Sequence, residues 1–198
     1  MIVNIIKELR AEPEKIDVPE GILLKDLADR YQEQVPYRIL AAKVDNKLED
    51  LNGEAPANGI IEFLDMRTQS ANLIYQHSLS MIFLKAISDV VGKANVEIAN
   101  SLNKGLYTEV RLFREEKDSQ GNSRYVEGPV NLGEIQLVEK RMREIVEKDI
   151  PFFRQTCSRE KAAAQLVEDG DVEKMKLLNS TNVDTMAFYS LDGYWNFF

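Results

Sequence analysis

Proton transfer or metal binding in this chain would have to begin at its one histidine, His77. It stands in His77-Ser78-Leu79-Ser80-Met81, and a second ligand at i+4 would lie on the same helix face. That position is Met81, a soft apolar side chain that neither carries protons nor offers nitrogen. The remaining candidates for metal ligands are scattered carboxylates. Cys157 has no second cysteine or histidine close enough in sequence to suggest an activated thiol, so it reads as a buried strand residue. Glu109 and Glu139 give no readable acid–base pair. Lys104-Gly105 marks a turn that could approach a phosphate. Gly92-Lys93-Ala94 lacks both the upstream glycine and the hydroxyl of a phosphate-binding loop.

The elements around His77 must position it. Leu79, Ile82, Phe83, Ala86, Ile87 and Val90 recur at helical spacing, which predicts a core helix with His77 in its first turn and Gly92 at its C-cap. Val96 to Ile98 and Leu106 to Phe113 then alternate as half-buried strands do. A cavity between the helix start and that sheet is where binding is expected.

Composition narrows the class. A chain of 198 residues that is 44% hydrophobic and 29% charged has the make-up of one or two soluble globular domains. A net charge of −8 argues against broad binding to duplex DNA or a membrane surface, which needs clustered Lys and Arg, and leaves room for a local RNA contact. One cysteine excludes an intrachain disulfide and fits a reducing cytoplasm. No cationic leader and no run of about 18 apolar residues is present, so the chain reads as cytoplasmic.

Residues 1–66 read as one unit. Ile2 to Leu9 and Lys15 to Val18 are predicted strands, and residues 22 to 33 take helical spacing through Leu23, Leu24, Leu27, Ala28 and Tyr31. Ile39 to Val44, Lys47 to Leu51 and Ile60 to Met66 return to strand, with a turn at Asp45-Asn46. This order, with Ala41-Ala42-Lys43-Val44-Asp45-Asn46-Lys47-Leu48-Glu49-Asp50-Leu51, resembles the TGS domain, a ubiquitin-like β-grasp module that regulates or contacts RNA and does no chemistry. Lys43 and Lys47 themselves read as solvated strand-edge charges.

Arg67 to Asn72 reads as a polar connection, and residues 73–198 as a second unit. Glu115 to Arg124 is predicted to be a charged turn with Asp118-Ser119-Gln120-Gly121-Asn122 at its tip. Glu134 to Lys148 is a predicted helix through Ile135, Val138, Met142 and Ile145, ended by Pro151. Phe152 to Cys157 follows as a strand, and Ser158 is the N-cap of a short helix closed by Gly170. Asp171 could cap another, through Leu178. His77-Ser78-Leu79-Ser80-Met81, Gly105-Leu106-Tyr107-Thr108-Glu109, Glu139-Lys140-Arg141-Met142 and Ser158-Arg159-Glu160-Lys161-Ala162 follow in order along it. Together they resemble the second additional domain of threonyl-tRNA synthetase. The resemblance therefore implies an α+β chain, a β-grasp domain followed by a synthetase-like α+β domain.

In that family the second domain hydrolyses misacylated tRNA with two histidines at i and i+4, a later Cys-x-Gly-x-His segment and a lysine. Here Met81 stands for the second histidine, while Asn196 and Phe198 stand for the aspartate and cysteine of a Tyr-x-Asp-x-Cys motif. Lys174 matches the lysine. The resemblance leaves a remnant pocket of His77, Tyr107, Lys174 and Lys104 for a nucleotide or tRNA, with no catalytic residue and no metal. The segment Phe188 to Phe198 is similar to the join between such domains and a P-loop domain in bacterial uridine kinase-like nucleoside kinases. Four aromatic residues at a chain end also predict that the chain continues past Phe198. The expectation is an accessory, non-catalytic region of such a kinase, with ATP and magnesium used downstream. The alternatives are the editing region of a threonyl-tRNA synthetase-like protein and a pure interaction module.

Overall fold

Val3 and Ile5 face one way and Ile2, Asn4 and Ile6 the other, and this alternation builds β1 (Ile2–Ile6). A computed structural model describes the chain except Leu9, Asn103, Lys104, Asp118, Gly121, Asn122, Gly170, Asp171, Asn182, Phe197 and Phe198. It describes only the backbone at Asn100–Leu102, Glu168–Asp169 and Val172–Glu173. By its internal contacts the chain divides into Met1–Leu79 and Ser80–Phe198.

In the first unit β1 pairs antiparallel with β2 (Glu14–Asp17) and parallel with β5 (Ile60–Leu64), which pairs with β3 (Ala41–Val44) and through it with β4 (Lys47–Glu49). The sheet order is β2-β1-β5-β3-β4. Leu24, Leu27, Ala28 and Tyr31 form the buried stripe of α1 (Leu24–Tyr31), in one core cluster with Val3, Ile5, Ala42, Ile61 and Phe63. This is the expected β-grasp arrangement, helix across one face of a mixed sheet. Asp45 and Asn46 both take positive φ in the turn between β3 and β4.

Several ends differ from expectation. The helix is shorter because Gln32 leaves it for a 3-10 turn, its side chain donating to the Tyr37 carbonyl and accepting from Ile39 N. β4 stops at Glu49 because the Leu51 carbonyl accepts instead from Lys25 N at 2.7 Å. The polar connection is also shorter than Arg67 to Asn72. Thr68 Oγ1 donates to the Asp65 carbonyl and accepts from Ala71 N, and α2 already runs from Gln69 to Val91. Gly92, at φ +74°, closes that helix as expected.

The second unit holds two three-stranded antiparallel sheets. β6 (Ala94–Leu102), β7 (Gly105–Lys117) and β8 (Ser123–Pro129) make the first. The charged turn expected from Glu115 is largely strand: Glu115, Glu116 and Lys117 pair with Tyr125, Arg124 and Ser123, with a Glu116–Arg124 ion pair at 3.4 Å. Of its tip, Asp118, Gly121 and Asn122 lie outside the described residues. α3 (Leu132–Glu147) starts earlier than expected because Asn131 and Glu134 form a reciprocal capping box.

β9 (Phe152–Ser158), β10 (Thr185–Leu191) and β11 (Tyr194–Asn196) form the second sheet, in the order β11-β10-β9. Between β9 and β10 lie α4 (Arg159–Asp169) and α5 (Val172–Ser180). Ser158 Oγ accepts from Lys161 N at 3.4 Å, as its capping role requires. The expected roles of Gly170 and Asp171 fall outside the described residues. Met81, Ala86 and Ile87 from α2 pack with Val138, Ile145 and Leu191, while Ala162, Leu166, Leu178 and Phe188 make a second cluster.

The β10–β11 hairpin closes through Asp192 and Gly193, at φ +47° and +79°. A Cβ on Gly193 would meet nothing within 4 Å, so only backbone conformation resists substitution. Gly193→Ala is expected to lower stability by about 1 kcal/mol and Gly193→Asn by much less, measured by urea unfolding.

Candidate functional site

Helix α2 decides what the His77 motif can do. Because the helix begins at Gln69, His77 lies in its third turn and is exposed, a correction to its expected place at the helix start. Met81, one turn further on, is 1% exposed and belongs to the hydrophobic cluster of the second unit. The two positions that would share a metal thus sit in opposite surroundings, one exposed and one in a dry core. Asn196, at the position of the aspartate in the motif it resembles, is 4% exposed and presents a neutral amide rather than a carboxylate. Among the described residues, no three His, Cys, Asp or Glu groups gather to hold a metal.

Tyr107 is exposed on β7, and its hydroxyl donates to Glu109 Oε1 at 3.3 Å. Arg111 Nη2 donates to the other oxygen of Glu109 at 3.4 Å. These three alternate residues share one face of the strand and line an open groove of about 470 Å³ with Glu127, Gly128 and Pro129. The ladder with β8 ends at the Arg111–Pro129 pair, so the edge of β7 away from β6 is uncovered by β8 from Tyr107 to Val110. Lys174 is half-buried on α5 and does not line this groove. His77 belongs to the first unit, Tyr107 and Lys174 to the second. Lys104 lies outside the described residues.

Among the described residues, a dense polar constellation involves side chains to which the sequence assigned no site role. Asp89 accepts from Lys85 Nζ at 2.7 Å through one carboxylate oxygen and from Arg141 Nε at 2.8 Å through the other. Asp192 in the hairpin turn approaches Lys85 at 3.8 Å and Arg141 at 3.6 Å, and Glu144 approaches Arg141 at 3.3 Å. Burial pushes the Asp89 carboxyl up, but the hydrogen bonds from Lys85 and Arg141 together outweigh it and hold the group below the ordinary carboxylate value. The network joins α2, α3 and the β10–β11 turn. It is a clamp, since every charge in it has a partner within it.

A smaller charged joint lies at the end of β5. Arg67 donates from Nε and Nη2 to Asp65, and its guanidinium lies over the Tyr37 ring at 4.7 Å. Hydrogen bonding to Arg67 keeps the Asp65 carboxyl below its usual value. Among the described residues, no helix is long and apolar enough to cross a membrane.

No family model matches the chain. It is 25% identical over 170 residues to a threonine–tRNA ligase of Syntrophomonas wolfei, covering 86% of this chain and 25% of that protein. To the threonine–tRNA ligase of Bartonella tribocorum it is 24% identical over 183 residues, 91% of this chain and 25% of the relative. The ligase of Bacillus velezensis is 24% identical over 174 residues, with 87% and 25% covered. The chain spans about a quarter of the length of these curated relatives. The similarity favours the ligase-like alternative over the kinase-attached reading expected from the sequence.

Proposed function

We propose that the chain is a binding region of a protein related to threonine–tRNA ligases, one that keeps the scaffold of an editing region and does not hydrolyse misacylated tRNA. The burial of Met81 carries this reading. Editing chemistry of the kind the resemblance implies needs a second nitrogen beside His77 to position water or metal, and that position is filled by a thioether packed against Ala86 and Ile145. The similarity to threonine–tRNA ligases makes tRNA the ligand to test.

The experiment offers the chain threonine-accepting tRNA charged with serine. The expected result is loss of the ester at the rate found without protein, together with saturable binding of the tRNA that Tyr107→Ala or Lys174→Ala weakens. Faster hydrolysis that disappears in His77→Ala would overturn the reading. Absence of both hydrolysis and binding would reduce the region to a structural attachment.

The kinase-attached form of the same accessory role is supported by the likeness of Phe188 to Phe198 to a kinase join. Reading the gene past Phe198 separates the two, since ligase motifs and a phosphate-binding Gly-x-x-x-x-Gly-Lys-Ser/Thr are unmistakable.

A further inference from the structure

Two exposed aromatic rings flank one small residue. In the β11-β10-β9 sheet Ser190 pairs with Phe153 on one side and with Trp195 on the other, so all three side chains leave the same face. Phe153 is 58% and Trp195 40% exposed. Strands two places apart in a sheet are about 9.5 Å apart. A planar ring midway would lie roughly 4.7 Å from each aromatic, within the range of offset stacking. Ser190, between them, is too short to fill that space.

The rest of this face sets the chemistry of an occupant. Moving along the sheet, the next cross-strand pairs are Gln155–Phe188 and Cys157–Met186. Phe188 is buried with Ala162, Leu166 and Leu178 of α4 and α5, with Cys157 and Met186 packed beside them, so the helices cover that end. Gln155 is exposed at the boundary. The open end therefore offers two rings, a hydroxyl and an amide, and no charged side chain among the paired residues of that face. Among the described residues paired on that face there is neither a cation for a phosphate nor a carboxylate for an amine. A neutral planar molecule with donors and acceptors on its edge matches it, with Gln155 and Ser190 in reach of that edge.

We propose that Phe153 and Trp195 form a slot for the base of a free nucleoside, with Ser190 as its floor and Gln155 at its rim. The site is independent of the tRNA reading, because none of its residues enters that test and its own test reads no hydrolysis.

Trp195 is the only tryptophan in the chain, so its fluorescence, excited where nucleosides do not absorb, reports on the slot alone. Titration with adenosine, guanosine, cytidine and uridine is expected to give saturable quenching with at least one of them. The corresponding 5′-monophosphate should bind more weakly. Phe153→Ala should lower the affinity about tenfold or more, Phe153→Tyr should preserve it, and both should melt like the parent because the ring is exposed. Absence of saturation with all four, or saturation that Phe153→Ala leaves unchanged, would overturn the proposal. Saturation by a single-stranded oligonucleotide without any by nucleosides would overturn the choice of a neutral ligand.

Discussion

Asp89→Ala is expected to lower the stability of the second unit by about 2 kcal/mol. Removing that carboxylate leaves Lys85, whose side chain is 11% exposed, and Arg141, 20% exposed, without their central partner. Breaking a fully buried pair costs roughly 3–5 kcal/mol and a surface pair at most about 1, and these exposures lie between the two cases. Replacing the carboxylate by the shape-matched amide, Asp89→Asn, should recover part of the loss. The folded carboxyl titrates below its ordinary value, so its contribution is complete above about pH 3.9, where the unfolded group ionises, and disappears as pH falls through the lower folded value. Urea unfolding at pH 7 and pH 3 tests both statements. The gap between parent and Asp89→Ala should be wide at pH 7 and narrow at pH 3, and an equal gap at both would remove the charge explanation.

Met81→His should cost about 3 kcal/mol and should not create a metal site. The imidazole is polar, the position is 1% exposed, and the buried residues of its cluster are Ala86, Ile87, Val138, Ile145 and Leu191, whose side chains offer no hydrogen bond. Burial depresses an imidazole's affinity for protons, so the penalty should grow as pH falls below about 6.5. Thermal melts at pH 8 and pH 5.5, each with and without zinc, check this. A rise in melting temperature with zinc, absent in the His77→Ala, Met81→His double variant, would show that the two nitrogens converge. That outcome would reopen the editing reading.

The sequence disclosed most of the first unit because its signals are local. Alternation in β1 and β5, the α1 stripe and the Asp45-Asn46 turn each specify their own element. In the second unit the strand over Ser123–Pro129 was hidden because Glu115 to Arg124 reads as a charged turn until the ladder between β7 and β8 is seen. The β10–β11 hairpin did carry a legible mark, Asp192-Gly193 between runs rich in aromatics, but the aromatic end drew attention to burial instead. Capping by Asn131 was legible too, through Glu134 three residues on. At the candidate site, the substitution of Met81 for histidine was readable through the resemblance of the His77 motif to the synthetase pattern. Its burial was not, because periodicity gives the stripe of a helix without saying where along its length the cover begins. The Lys85–Asp89 pair shows its i,i+4 spacing in sequence, whereas the approach of Arg141 and Asp192 depends on tertiary packing.

The parallel pairing of Asn4 with Ile60 has a consequence for synthesis. β1 leaves the ribosome before the rest of its sheet, yet the strand beside it is the last of that sheet, so the β1–β2 and β3–β4 hairpins can form early but cannot join. Until β5 emerges, one edge of β1 and the apolar stripe of α1 are exposed together, the pairing of features that favours association between nascent chains. The β6-β7-β8 meander joins neighbours in the chain and closes as it is made. Vulnerability of the first unit during production is thus relieved only when the strand from Ile60 to Leu64 arrives.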